Sequence, residues 1–153
     1  MKNKHERVPL IRVWLLAVAA PLSLSISPGL AQQGKATNEQ RVHGAIARVP
    51  EKDRTRRNPL EGDPDATASG GKLFEQHCAE CHGKKAEGTK RAPSLLGRDI
   101  QQATPGALFW VVTNGEVRRG MPVWSKLPEP ERWQIVTFLK SWKAEQNDKE
   151  GGR

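Results

Sequence analysis

Two thiols and an imidazole stand within five consecutive residues, Cys78-Ala79-Glu80-Cys81-His82. Thiols three positions apart can each add across one vinyl group of a porphyrin. The imidazole that follows the second thiol can then lie under the metal as its proximal ligand. The segment is therefore read as an attachment site for one haem c, held through Cys78 and Cys81 with His82 on the iron. Three other uses of the same residues compete. A zinc site needs four ligands; the sequence has no second Cys pair, and His77, Cys78, Cys81 and His82 are too crowded along one segment to surround an ion. A thioredoxin-like pair belongs at a helix N-terminus after a strand, whereas here a helical stretch leads into the motif. A plain Cys78–Cys81 disulfide stays open, but it gives His82 and the residues downstream no task.

The N-terminal residues have the pattern of an export signal. Lys2, Lys4, Arg7 and Arg12 precede an apolar run from Val13 to about Ile26, and Gly29 and Ala31 are small. This predicts a signal peptide over 1–31, cleaved before Gln32. The run falls short of the roughly 20 residues of a spanning helix, Pro21 interrupts it, and no Cys near the cleavage point can take a lipid. The expected mature protein is exported to the periplasm or its equivalent, soluble, and without stable membrane insertion. Loss of four Lys/Arg and one Glu lowers the formal charge from +8 to +5. It leaves Met121 as the sole methionine, and His43 and His77 as the histidines besides His82.

Residues 32–60 are polar, crowd Arg48, Lys52, Arg54, Arg56 and Arg57 before Asn58-Pro59, and show no sustained apolar period. They are read as a flexible or loosely docked basic extension, in which Ala45–Val49 can form a helical turn against the domain. No nucleic-acid motif accompanies the basic cluster, and no nucleic-acid partner is expected. The folded unit is expected over 61–143. Asp63 suits an N-cap and Pro64 the first helical position of a helix running to about Cys78. Gly70, Phe74 and Cys78 stand four apart on one face; the glycine costs about 1 kcal/mol in helix stability, which close approach of another helix can offset. Thr104-Pro105 opens a second helix that runs to Asn114-Gly115. Glu131–Trp142 carries a broad apolar face at helical spacing, with Pro128 and Pro130 near its start. Residues 144–153 read as a polar, frayed tail.

The run Gly70, Phe74, Cys78, Cys81, His82 follows the pattern Gly-x-x-x-Phe-x-x-x-Cys-x-x-Cys-His. It resembles the N-terminal helix of class I c-type cytochromes, and the resemblance spans about 61–143. It implies an all-α, cytochrome c-like fold with three to five helices around one covalently bound haem, the first and last helices crossing at the glycine and the aromatic. It also implies that the Pro93 carbonyl accepts a hydrogen bond from His82 Nδ1–H and that Leu95 packs on the porphyrin. Met121 lies in a Gly/Pro loop 39 residues after His82; it resembles the distal ligand of this family, with His43 the next suspect. The family often holds haem propionates with Tyr or Trp. This sequence has no Tyr, so Trp110 and Trp124 are the candidates, and Trp133 and Trp142 are read as structural.

An iron with both axial positions filled by protein has no open site for substrate. The expected function is a one-electron carrier between redox proteins, not an enzyme. Alternatives are a haem c subunit or partner of a periplasmic dehydrogenase, and behind these a haem-based peroxidase or ligand sensor. Lys84, Lys85, Lys90, Arg91, Arg118 and Arg119 flank the proximal and distal segments, which implies a basic collar and a partner with an acidic docking surface. Ordinary solvated loop charge is the competing reading. About 83 residues make a marginal core, so the haem must supply much of the buried apolar surface, and apoprotein is expected to be largely unfolded.

Overall fold

The computed structural model describes residues 37–151, with the backbone alone for 143–151; the expected signal peptide over 1–31 lies outside the described residues. Among these residues there are seven α-helices, and no strand beyond an isolated Glu116–Met121 bridge. In chain order the helices are α1 (Asn38–Ala47), α2 (Glu51–Arg54), α3 (Pro64–His77), α4 (Ala79–His82), α5 (Arg98–Gln102), α6 (Pro105–Asn114) and α7 (Glu129–Gly151), with a 3-10 turn over Val117–Arg119. The fold is all-α, and five of the helices, α3 to α7, begin within 61–143.

Local chemistry sets the helix ends. The Asp63 carboxylate accepts from Asp65 N at 2.9 Å and Ala66 N at 3.1 Å, which satisfies amides that α3 leaves unpaired, and Pro64 follows at the first helical position. Thr104 does the same for α6, accepting from Ala107 N at 3.2 Å. Gly115, at φ +66°, ends that helix. At Cys78 α3 yields to the single turn of α4, which Gly83 terminates at φ +82°.

The core is built on the crossing of α3 and α7. Phe74 is 1 % exposed and lies 5.5 Å from the Phe138 ring and 5.8 Å, edge-on, from Trp142. Ile135 and Leu139 of α7 close the same cluster. A second cluster joins α6 to α7, where Phe109 stacks on Trp133 at 4.0 Å.

The segment expected as a flexible extension differs from that reading. From residue 38 it is helical and packed: α1 lies on α5 and α6, α2 lies on α6, and Ala45 and Val49 are buried. Thr37 and Gln40 form a reciprocal capping box at the start of α1. At its other end Arg54 donates to the carbonyls of Ile46, Ala47 and Val49. Asn58, also buried, donates to Thr137 Oγ1 of α7 at 2.8 Å. So few apolar residues carry the docking (Val42, Ala45, Ile46, Val49) that no sustained period marks it. At the other end of the chain, α7 continues to Gly151 through most of the segment expected as a separate tail.

Candidate haem-binding site

A cavity of about 610 Å³ opens between these elements. Cys78, Cys81 and His82 line it where α3 meets α4. Met121 lines it from the loop after α6, and Leu95, Ile100, Leu108 and Val111 supply apolar wall. The helical turn at α4 brings the proximal residues together, with Cys81 N and His82 N donating to the Cys78 carbonyl at 3.1 and 2.9 Å.

His82 is oriented by the loop that follows it. Its Nδ1 lies 2.8 Å from the Pro93 carbonyl oxygen. A carbonyl can only accept, so the proton sits on Nδ1 and Nε2 keeps its lone pair for a metal. Burial lowers the pKa of His82, partly opposed by that hydrogen bond, and so favours the neutral, ligating form. The loop is drawn tight by Gly88 N donating to the His82 carbonyl at 2.7 Å and Thr89 Oγ1 donating to the Cys81 carbonyl at 2.6 Å. Gly88 has φ +86°, and a side chain there would strike the Pro93–Ser94 backbone.

No disulfide joins Cys78 to Cys81. Burial, with the neighbouring Cys81 second, pushes the Cys78 thiol up to about 11, so it stays protonated at neutral pH. Among the described residues no three His, Cys, Asp or Glu side chains converge as a metal cage.

Met121 is fixed through its backbone. Glu116 and Met121 exchange N–H···O bonds of 3.0 and 3.2 Å around the 3-10 turn, and Gly120 takes the left-handed conformation at φ +91° that closes it. An apolar cavity carrying two thiols, a neutral imidazole and a thioether fits a covalently held haem.

Comparison with known proteins bears on the same segment. Residues 65–139 match the family described as cytochrome c oxidase, cbb3-type, subunit III. Residues 65–139 form a class I c-type cytochrome domain. The chain is 31 % identical over 141 residues to the cbb3-type cytochrome c oxidase subunit CcoP of Rubrivivax gelatinosus, an alignment that takes in 80 % of this chain and 46 % of that protein. It thus spans about half the length of that curated relative. The fold is similar to that of cytochrome cL from the marine methylotroph Methylophaga aminisulfidivorans, with a TM-score of 0.50 and 21 % identity over 79 % of this chain and 83 % of that one. Cytochromes of this kind carry haem c and its iron. Among the described residues no helix is long and apolar enough to cross a membrane.

Within the cytochrome domain, Leu95 and Trp124 line the cavity, and the Trp124 ring lies 5.1 Å from that of His77. Trp110, a candidate for the propionates, is not among the wall residues: Leu108 and Val111 of α6 line the cavity, and two positions beyond Leu108 lie about 200° further round the helix. His43 also stands outside, exposed on α1 with Nδ1 3.7 Å from an Asp99 oxygen. Residues the sequence did not place at the site join the lining: Arg41, Val42, Ala45 and Ile46 of α1, His77, and Glu116. The α1 group had no signal beyond a short apolar i, i+3, i+4 spacing, and no motif marks the others.

Proposed function

We propose that this protein is a one-electron carrier, exchanging electrons with redox proteins through a single haem c attached at Cys78 and Cys81. A haem held there supplies a one-electron Fe(III)/Fe(II) couple. The observation that carries the reading is the meeting of His82 and Met121 at one cavity although they stand 39 residues apart. His82 and Met121 would together hold the iron, which would then keep no open position for substrate, and a thioether would favour the ferrous state relative to a second imidazole. Burial favours neutral His82, the Pro93 carbonyl aims its ring, and the Glu116 bridge pins Met121. No side chain is asked to act as acid, base or nucleophile. The test is spectroscopic. Oxidised protein should show the near-infrared charge-transfer band of Met–Fe(III), and Met121→Ala should abolish it and lower the reduction potential. A band that is absent from the wild type, or that survives the substitution, removes Met121 from the iron.

A second reading is favoured by the 31 % identity to an oxidase subunit: the domain serves as the haem-bearing subunit of a larger oxidoreductase. Purification from native membranes and extracts separates the two, since a subunit travels with stoichiometric partners and a shuttle does not.

A further inference from the structure

We propose that Arg41 and Arg119 form a clamp for the two propionate carboxylates of the haem, so that a helix outside the family segment completes the cofactor site. The inference rests on the haem reading of the Cys78–Met121 cavity. Both arginines line that cavity, one from α1 and one from the 3-10 turn just before Met121. They hold each other's backbone: Arg119 Nη1 donates to the Arg41 carbonyl at 2.8 Å, and Arg41 Nη2 donates to the Arg119 carbonyl at 3.4 Å.

The charge around the cavity is unbalanced at this one place. Arg91 is ion-paired with Glu80 at 2.8 Å, and Glu116 is ion-paired with Arg48. Neither Arg41 nor Arg119 has a carboxylate partner among the described residues; beyond the mutual carbonyls, Arg41 reaches only the Asn38 side chain at 3.3 Å. A guanidinium has five N–H donors in a planar fork, so both keep donors in hand. Two like charges lining one partly enclosed cavity call for an anion, and the fork matches a carboxylate bidentately.

The porphyrin's own chemistry supplies that anion. Its two vinyl groups and its two propionates occupy opposite halves of the ring. Fixing the vinyl half at Cys78 and Cys81 turns the carboxylates away from the α3–α4 corner. α1 packs on α5 and α6, whereas α3 and α4 pack on each other and α3 on α7. The arginines therefore stand on a different wall from the thiols.

A clamp of this kind sets the potential. The ferrous state carries one positive charge fewer, so losing a guanidinium leaves a propionate uncompensated and favours Fe(III). Potentiometric titration of haem-loaded full-length protein tests this with Arg41→Gln, Arg119→Gln, Arg41→Lys and, as a charge-matched control, the exposed Arg57→Gln. Arg41→Gln and Arg119→Gln should each shift the Fe(III)/Fe(II) equilibrium toward Fe(III) by roughly tenfold, about 59 mV for one electron. Arg41→Lys should recover part of the shift, and Arg57→Gln should show none. Should Arg41→Gln fail to assemble, Arg119→Gln and Arg41→Lys carry the comparison. Potentials of Arg41→Gln and Arg119→Gln that match Arg57→Gln overturn the clamp. So does an equal fall in Arg41→Lys and Arg41→Gln, which assigns the effect to packing. Wild-type protein without covalent haem overturns the haem reading itself, a result distinct from loaded protein that ignores both arginines.

Discussion

Gly70 of α3 lies so close to the backbone carbonyl of Gln134 in α7 that a methyl group in place of its hydrogen would overlap that oxygen. Backbone cannot swing aside as a side chain can, so the helices must separate to admit a Cβ. Gly70→Ala should cost about 1–3 kcal/mol through overpacking, less the roughly 1 kcal/mol by which alanine favours a helix over glycine. Gly71 faces the Phe138 ring instead, with its nearest atom 3.3 Å from a Cβ, and a ring edge can give by a few tenths of an ångström. Gly71→Ala should therefore be close to neutral. Urea unfolding midpoints compare the two, and equal effects would contradict a crossing centred on Gly70.

That crossing was legible because its cause is local and periodic. Gly70, Phe74 and Cys78 share a face by spacing alone, and the apolar positions of α7 answer them. The caps at Asp63 and Thr104 were equally readable, since each depends on a side chain and the amides just after it. What the sequence hid depends on partners far along the chain. Asn58 reads as a turn residue until Thr137, 79 positions away, is seen to accept from it. Arg41 reads as one more basic side chain until α1 is docked. Composition names Trp110 as an aromatic donor, whereas the rotation of α6 decides which of its residues reach the cavity wall.

Asn58 gives the docked segment a direct test. The residue is 7 % exposed; its Nδ2 donates to Thr137 Oγ1, and its Oδ1 accepts from Leu60 N at 3.0 Å. Asn58→Ala leaves a buried amide and a hydroxyl without these partners, which should cost about 1–3 kcal/mol. Chemical unfolding of the haem-loaded protein measures it. A loosely attached arm would make the same substitution silent, and that result would detach 38–60 from the fold.

Removing the haem should remove most of the fold. Without the ring, the apolar walls of a cavity of about 610 Å³, Leu95, Ile100, Leu108 and Val111 among them, face water instead of porphyrin. A domain's whole stability is only about 5–15 kcal/mol, so the apoprotein should collapse or unfold. Protein produced with a haem-attachment system should keep its haem through acid-acetone extraction. Cys78→Ala with Cys81→Ala should yield no covalent haem and a far-ultraviolet circular dichroism signal well below that of the wild type. Extractable haem in the wild type would contradict attachment at these thiols; a fully helical double variant would contradict the coupling.

The basic collar is narrower than the sequence implies. Of the six collar residues, Arg91 is paired with Glu80, and Arg119 is turned onto the α1 carbonyl. Lys84, Lys85, Lys90 and Arg118 remain exposed with no ion pair among the described residues. Val117 and Val123, on either side of Met121 in the sequence, are 66 % and 46 % exposed, so the loop carrying Arg118 also presents apolar side chains, as a contact patch does. If these four cations steer an acidic partner, association should slow as salt shortens the reach of their field, since the screening length is about 10 Å at 0.1 M and about 3 Å at 1 M. Charge reversal at Lys84→Glu/Lys85→Glu and at Arg118→Glu should lower the bimolecular rate at low salt and converge on the wild type at high salt. Leaving Arg91 and Arg119 intact keeps the cavity rim out of the comparison. Stopped-flow reduction by the native donor over an ionic-strength series reads both effects. A rate indifferent to salt and to both reversals would make these ordinary solvated charges and leave the apolar side chains alone to dock.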